Sequence, residues 1–133
     1  QIINESDNAA LEFHLQGELG AGKTTLVRGI LSALGWDGSV KSPTYTICEE
    51  YELNQFLILH IDLYRTEVDE DIDMLELNRE HKNKKLIFIE WPEKLHGKRL
   101  CNIRIKLLHQ NNSRKVELIG DTILIEKLIN LNL

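Results

Sequence analysis

The sequence Gly-Glu-Leu-Gly-Ala-Gly-Lys-Thr at residues 17 to 24 contains a complete phosphate-binding pattern, G-x-x-x-x-G-K-[ST]. The glycines let successive backbone N–H groups turn inward around an anion. A helix that starts directly after the loop points its positive end at the same anion. The pattern therefore requires a strand, a glycine loop and a helix in that order, and it predicts binding of a nucleotide polyphosphate with Mg²⁺.

The residues on either side of the loop agree with this requirement. Residues 11 to 15 alternate apolar and polar side chains, which predicts a short strand. Gly35 is placed to end the following helix. Apolar residues recur at helical spacing at Leu26, Val27, Ile30, Leu31 and Leu34.

The rest of the chain predicts further strands and helices in a single domain over residues 1–133. The helices are predicted at 69–79 and 122–131, with a turn at Asn111-Asn112-Ser113. Together the elements predict an α/β fold of the P-loop NTPase type, a sandwich with a central, mixed and mainly parallel sheet flanked by helices and a late antiparallel hairpin. The predicted strands after the first are 44–51, 56–61, 85–89, 102–108 and 115–119.

Two apolar strands end on a carboxylate. Residues 57 to 61 lead to Asp62, and residues 86 to 89 lead to Glu90. The carboxyl edge of a parallel sheet is where α/β proteins bind ligands. Phosphoryl transfer needs an acid there, either to hold Mg²⁺ or to orient the attacking water. We assign Glu90 to the metal, with the Thr24 hydroxyl, and Asp62 to the water or the second shell of the magnesium; the two acids could exchange these roles.

Three further features each have two interpretations. The segment Lys41 to Thr46 is either a switch that senses the γ-phosphate or an ordinary turn into a strand. Trp91 either stacks on a base or partner, or packs as a half-buried side chain. Arg65 either stabilises transition-state charge or forms a surface ion pair.

Charge and composition limit the class of protein. The net charge of −5 argues against a surface built to coat nucleic acid. The acidic stretch 67–80 and the basic stretch 94–115 are either solvated faces or docking surfaces for partner proteins or RNA. No apolar run approaches the roughly 18 residues of a membrane span. The two cysteines show no metal-ligand spacing and are expected to be reduced thiols of a cytosolic protein.

Several blocks in order make the sequence similar to the TsaE family, bacterial P-loop ATPases of tRNA threonylcarbamoyladenosine synthesis. The similarity runs from about Leu15 to Gly120. It implies a cytoplasmic, Mg²⁺-dependent ATPase, weak alone, that acts on a TsaB–TsaD-type complex and meets tRNA only through those partners. The blocks are Gly-Glu-Leu-Gly-Ala-Gly-Lys-Thr-Thr at 17–25, Val-Lys-Ser-Pro-Thr-Tyr-Thr at 40–46, Asp-Leu-Tyr-Arg at 62–65 and Ile-Glu-Trp-Pro-Glu-Lys at 89–94.

The resemblance also assigns site residues. Lys23, Asp62 and Glu90 are the candidate catalytic residues, and Thr24 and Glu90 the candidate Mg²⁺ ligands. Arg114 matches an arginine of the family's late hairpin. The candidate nucleotide-binding residues are Gly17, Glu18, Leu19, Gly20, Ala21, Gly22, Lys23, Thr24, Thr25, Thr44, Trp91 and Arg114.

The alternative to an ATPase is a nucleotide-dependent docking clamp without significant turnover. A small-molecule kinase and a GTPase are weaker alternatives.

Overall fold

The computed structural model describes residues 10–18, 22–66, 72–110 and 113–129. Within these residues, six strands form one sheet in the order β2-β3-β4-β1-β5-β6. The elements are β1 (Leu11–Gln16), α1 (Lys23–Ala33), β2 (Cys48–Glu52), β3 (Phe56–Asp62), β4 (Lys84–Glu90), a 3₁₀ helix (Pro92–Leu95), β5 (Ile103–Gln110), β6 (Ser113–Gly120) and α2 (Thr122–Ile129).

The sheet is mixed and mainly parallel, as predicted. β1 lies between β4 and β5 and is parallel to both, and β3 is parallel to β4. β2 pairs antiparallel with β3 at one edge, and β5 with β6 forms the predicted late hairpin at the other. All seven residues of β3 and all seven of β4 are buried, which explains the largely apolar sequences that lead to Asp62 and Glu90.

One face of the sheet packs against α1. The rings of Phe13 and Phe88 stack at 4.6 Å between centroids in the middle of this core. Ile125 of α2 packs against the same cluster. Gly35, with φ of 106°, ends α1 as predicted, because the N–H groups of Gly35 and Trp36 return to carbonyls of the last turn. The buried α1 side chains in this core are Val27, Ile30 and Leu31.

The other face is covered differently from the prediction. The expected helix over 69–79 is wrong for residues 74–79, which form successive turns, and 69–71 lie outside the described residues. Glu76 has φ of 48°, which a right-handed helix does not allow. The buried ammonium of Lys85 donates hydrogen bonds to the backbone carbonyls of Leu77 and Arg79. These carbonyls therefore have partners without the N–H groups that a helix would provide. Among the described residues, Leu77 from these turns and Leu95 from the 3₁₀ helix pack against this face.

The predicted strand 44–51 is also partly wrong. Residues 43 to 46 form a turn, and β2 starts only at Cys48. The N–H of Ile47 donates to the carbonyl of Pro43 at 2.8 Å, and Ile47 has φ of 69°. The carbonyl of Ile47 then accepts the N–H of Asp62 at 2.8 Å, which ties the turn to the end of β3.

The remaining elements follow the predictions closely. The strands predicted at 11–15, 56–61, 85–89, 102–108 and 115–119 are present, each with slightly different ends. The last helix, predicted over 122–131, runs from Thr122 to Ile129, and residues 130 and 131 lie outside the described residues. Asn111 and Asn112 of the predicted turn lie outside the described residues, and Ser113 is the first residue of β6, paired with Gln110.

Candidate functional site

The phosphate loop joins β1 to α1 in the predicted order. Gly17 and Glu18 follow β1, and Gly22 adopts φ of 101° and ψ of 22° directly before the first helical residue, Lys23. In the described part of the chain, no side chain caps the start of α1. The first N–H groups of the helix are therefore placed to bind an anion at its positive end. Leu19, Gly20 and Ala21, which the pattern also assigns to the nucleotide, lie outside the described residues.

A cavity of about 260 Å³ opens at this helix end, and it collects predicted residues from every separate block of the sequence. Gly17 and Glu18 instead line a neighbouring cavity of about 410 Å³, which shares Trp91 with the first. The phosphate cavity is lined by Gly22, Lys23, Thr24, Thr25, Thr44, Asp62, Glu90, Trp91 and Arg114.

Larger concavities lie elsewhere. One of about 600 Å³ is lined by residues between 72 and 79 together with Leu95 and Arg99, and carries none of the predicted site residues. It adjoins Ile72, next to residues outside the described ranges. Size alone does not identify a site. The smaller cavity combines a helix N-terminus, a lysine and two carboxylates, so we take it as the candidate site.

The two carboxylates stand side by side at the edge of the sheet. Asp62 and Glu90 are register partners at the ends of β3 and β4. The Thr24 hydroxyl donates to Oε2 of Glu90 at 3.1 Å. The Thr44 hydroxyl lies 3.5 Å from Oδ2 of Asp62, while Oδ1 accepts the N–H of Tyr64 at 2.9 Å. The turn at residues 43 to 46 is what brings Thr44 into the cavity.

Lys23 is buried between the loop and Trp91. Its ammonium donates to the carbonyl of Gly17 at 2.6 Å and lies 3.7 Å from the centre of the Trp91 ring. Burial lowers the pKa of Lys23, and the nearby Glu90 and Asp62 oppose that shift. A carbonyl and a ring face are weak partners for an ammonium, so a phosphate entering the cavity would be a stronger one.

Burial acts in the opposite direction on Asp62. It raises the pKa of this carboxyl, and the negative charge of Glu90 raises it further, against the N–H of Tyr64 and the charges of Lys23 and His60. A carboxylate with a raised pKa is a better proton acceptor, which suits a group that holds an attacking water.

Arg114 reaches the phosphate loop from the hairpin. A Cβ atom placed on Gly22 would lie only 2.5 Å from Nη1 of Arg114. The guanidinium therefore lies directly over the glycine that precedes Lys23. The hairpin residue and the loop are 92 positions apart in sequence and share one cavity.

Arg65 and Trp91 have distinct environments. The guanidinium carbon of Arg65 lies 4.7 Å from the centre of the exposed Tyr45 ring, and Arg65 is not among the residues that line the cavity. Trp91 lies at the cavity, has φ of 60°, and its ring is 4.9 Å from that of Tyr64.

The donor set fits a magnesium ion carried by a nucleotide. Mg²⁺ prefers oxygen ligands and is usually held by one or two carboxylates together with phosphates and water. Thr24 and Glu90 supply a hydroxyl and a carboxylate in contact, with Asp62 beside them. Among the described residues, no cluster of three or more His, Cys, Asp or Glu side chains could hold a metal ion by itself.

His60 is not among the site residues predicted from the sequence. This side chain lies in β3 two residues before Asp62, is fully buried, and is 2.5 Å from Oε2 of Glu90 through Nε2. The available signal was a histidine inside an otherwise apolar buried strand that ends on a carboxylate.

Comparisons with known proteins agree with one another. Residues 1–116 match the family model of the threonylcarbamoyl adenosine biosynthesis protein TsaE. The tRNA threonylcarbamoyladenosine biosynthesis protein TsaE of Haemophilus influenzae is 38% identical over 122 residues, covering 91% of this chain and 77% of that protein. The protein of the same name from Nostoc is 34% identical over 121 residues, covering 88% and 75%.

A solved structure shares the fold. The crystal structure of Bacillus subtilis YdiB superposes with a TM-score of 0.62 at 22% identity, covering 94% of this chain and 78% of that one. Separately, none of the helices in the described ranges has both the length and the apolar character needed to cross a membrane.

Proposed function

This chain belongs to the TsaE family of threonylcarbamoyl adenosine biosynthesis proteins, and we propose that it is the ATP-binding, slowly ATP-hydrolysing component of that tRNA modification. The observation that supports an ATPase is the phosphate cavity. Thr24 at the start of α1 and Glu90 at the end of β4 are in contact there, with Lys23, Asp62 and Arg114 lining the same space.

Lys23 and Arg114 would bind the phosphates. Both cations face the N-terminal end of α1, where backbone N–H groups add further donors. Lys23 would exchange the Gly17 carbonyl and the Trp91 ring for phosphate oxygens. Arg114, which lies over Gly22, would add the planar donor pair that suits phosphate.

Glu90 and Asp62 would divide the remaining work. Thr24 and Glu90 would hold Mg²⁺, which would supply positive charge against the phosphates. Asp62 would accept a hydrogen bond from a water and orient it for attack on the γ-phosphate. Its pKa, raised by burial, favours this role, and Thr44 beside it is placed to respond to the same phosphate.

Membership of the family supports a role beside other components of the same tRNA modification. We propose a TsaB–TsaD-type complex as the partner, with tRNA contacted only through it. The net charge of −5 supports the expectation that the chain alone does not bind tRNA tightly. This role would put the protein in the cytoplasm with its tRNA substrate.

Steady-state ATP hydrolysis with Mg²⁺, alone and with the TsaB–TsaD pair, tests the proposal. We expect slow hydrolysis that the pair accelerates, and no Mg²⁺-dependent hydrolysis by Lys23→Ala. ATP binding without hydrolysis in either condition would overturn the ATPase and leave the second candidate.

That second candidate is a clamp that docks on its partner when ATP is bound, without significant turnover. One observation favours it: Thr44 lines the cavity, and the next residue, Tyr45, is 81% exposed, so occupancy can be transmitted to the surface. Partner affinity measured with ATP, with ADP and with a non-hydrolysable analogue separates the two. A clamp binds equally well with ATP and the analogue and keeps its partner over time in ATP.

A further inference from the structure

His60 is a polar side chain in an apolar environment. It lies in the middle of the buried strand β3, next to Leu59 and Ile61, and has no exposed surface. Its Nε2 is 2.5 Å from Oε2 of Glu90. Its other ring nitrogen, Nδ1, is the one buried side-chain nitrogen or oxygen in the described chain without a hydrogen-bond partner.

A contribution to folding stability does not explain this arrangement. A buried polar atom without a partner costs free energy, about 1–3 kcal/mol, which offsets what one hydrogen bond contributes. An aliphatic residue such as those on either side would fill β3 without that cost. The effect of the histidine must therefore lie in what it does to Glu90.

The hydrogen bond fixes the direction of the Glu90 carboxylate. A carboxylate can only accept a hydrogen bond, so His60 donates to Glu90 through Nε2. Oε2 of Glu90 also accepts the Thr24 hydroxyl at 3.1 Å. The same oxygen is thus held from two elements, β3 and α1, at the wall of the phosphate cavity.

We propose that His60 is a positioning residue that holds Glu90 in the orientation needed to bind Mg²⁺ with the nucleotide; this rests on the proposed function. Hydrogen bonds to metal-binding side chains typically change metal affinity by about 10- to 100-fold when they are removed. The hydrogen bonds from His60 and Thr24 restrict the long Glu90 side chain before the ion arrives, which lowers the entropy lost when the ion binds.

The test is calorimetric binding of a non-hydrolysable ATP analogue at a series of Mg²⁺ concentrations and in EDTA, which needs no turnover. In His60→Leu we expect the half-saturating Mg²⁺ concentration to rise at least about tenfold, with unchanged affinity in EDTA. His60→Gln, whose amide nitrogen reaches as far as Nε2, should restore most of the Mg²⁺ response.

His14→Leu is the matched control. His14 is also a buried histidine bonded to a glutamate, Glu12, at 2.7 Å, but it does not line the phosphate cavity. We expect it to leave the Mg²⁺ response unchanged. If His60→Leu does not fold, His60→Asn, whose amide is too short to reach Glu90, replaces it with the same expected shift.

An unchanged Mg²⁺ response in the His60 variant would overturn the inference while leaving the proposed function intact. An equal loss of affinity with Mg²⁺ and in EDTA would also overturn it, because that is the effect of a general structural role. If the wild-type chain bound the analogue without any dependence on Mg²⁺, the magnesium part of the proposed function would fail, and this inference with it.

Discussion

Replacing Gly22 with alanine tests how the phosphate loop and the hairpin act together. Gly22 has φ of 101°, and an alanine in the left-handed region costs about 1–2 kcal/mol. The new Cβ would lie 2.5 Å from Nη1 of Arg114, but that flexible end can turn away cheaply. We therefore expect a fall in Tm of about 3–10 °C from the backbone strain alone.

ATP affinity should fall separately, because Arg114 would leave the cavity. A charge-assisted hydrogen bond contributes about 1.5–3 kcal/mol, so the loss should be roughly tenfold to a hundredfold. Thermal unfolding and calorimetric ATP binding measure the two effects independently. Added to Arg114→Ala, the Gly22 change should lower ATP affinity little further.

Gly35→Ala is the control, since Gly35 has φ of 106° and a Cβ atom added there would meet no atom of the described residues within 4 Å. It should reproduce the fall in Tm and leave ATP affinity unchanged. Wild-type ATP affinity in Gly22→Ala, or an equal loss of affinity in Gly35→Ala, would refute the reasoning.

Three further predictions concern the residues around the cavity. Glu90→Ala should abolish Mg²⁺-dependent turnover and keep nucleotide binding in EDTA; unchanged turnover would rule out the metal assignment. Asp62→Asn should lower turnover yet raise Tm at neutral pH, because burial raises the pKa of Asp62 and the folded state disfavours its charge. The difference in Tm between the variant and the wild type should shrink as the pH falls through this pKa, because the wild-type carboxyl then also becomes neutral. A Tm difference that does not depend on pH would contradict this prediction. In Trp36→Phe, Trp91 is the only tryptophan, and ATP should change its fluorescence by drawing away the Lys23 ammonium, 3.7 Å from the ring. Unchanged Trp91 fluorescence at saturating ATP would contradict the proposal that Lys23 leaves the Trp91 ring to bind phosphate.

The sequence predicts the sheet well and its covering layer less well. The strands β3 and β4 are largely apolar, and burial on both faces explains this composition directly. The helix over 69–79 was predicted from its acidic first turn, but distant groups determine the conformation of residues 74–79. The ammonium of Lys85 donates hydrogen bonds to two backbone carbonyls of this region, and Glu76 has a positive φ. Local patterns carry no information about such contacts.

The site likewise contains residues that the sequence predicts and residues that it does not. Asp62 and Glu90 could be predicted because each ends an apolar strand, and parallel neighbours end at one edge. Thr44 was identified by resemblance, although the strand predicted around it is a turn. Arg114 depended on the resemblance alone, because the hairpin's approach to Gly22 is a tertiary contact. His60 was missed because a single histidine in a buried strand has no pattern that names its partner.

The central position of β1 has a consequence for how the protein is made. β1 is among the first residues of this sequence, yet Leu11 pairs with Leu86, 75 residues later, and Phe13 with Ile103. At about 5–20 residues per second, the ribosome needs about 4–15 s to add that stretch. Until then β1 is an apolar strand with neither neighbour, and the glycine loop has no sheet to hold it. ATP therefore cannot assist the early stages of folding, and the nascent chain should depend on chaperones most strongly in this interval.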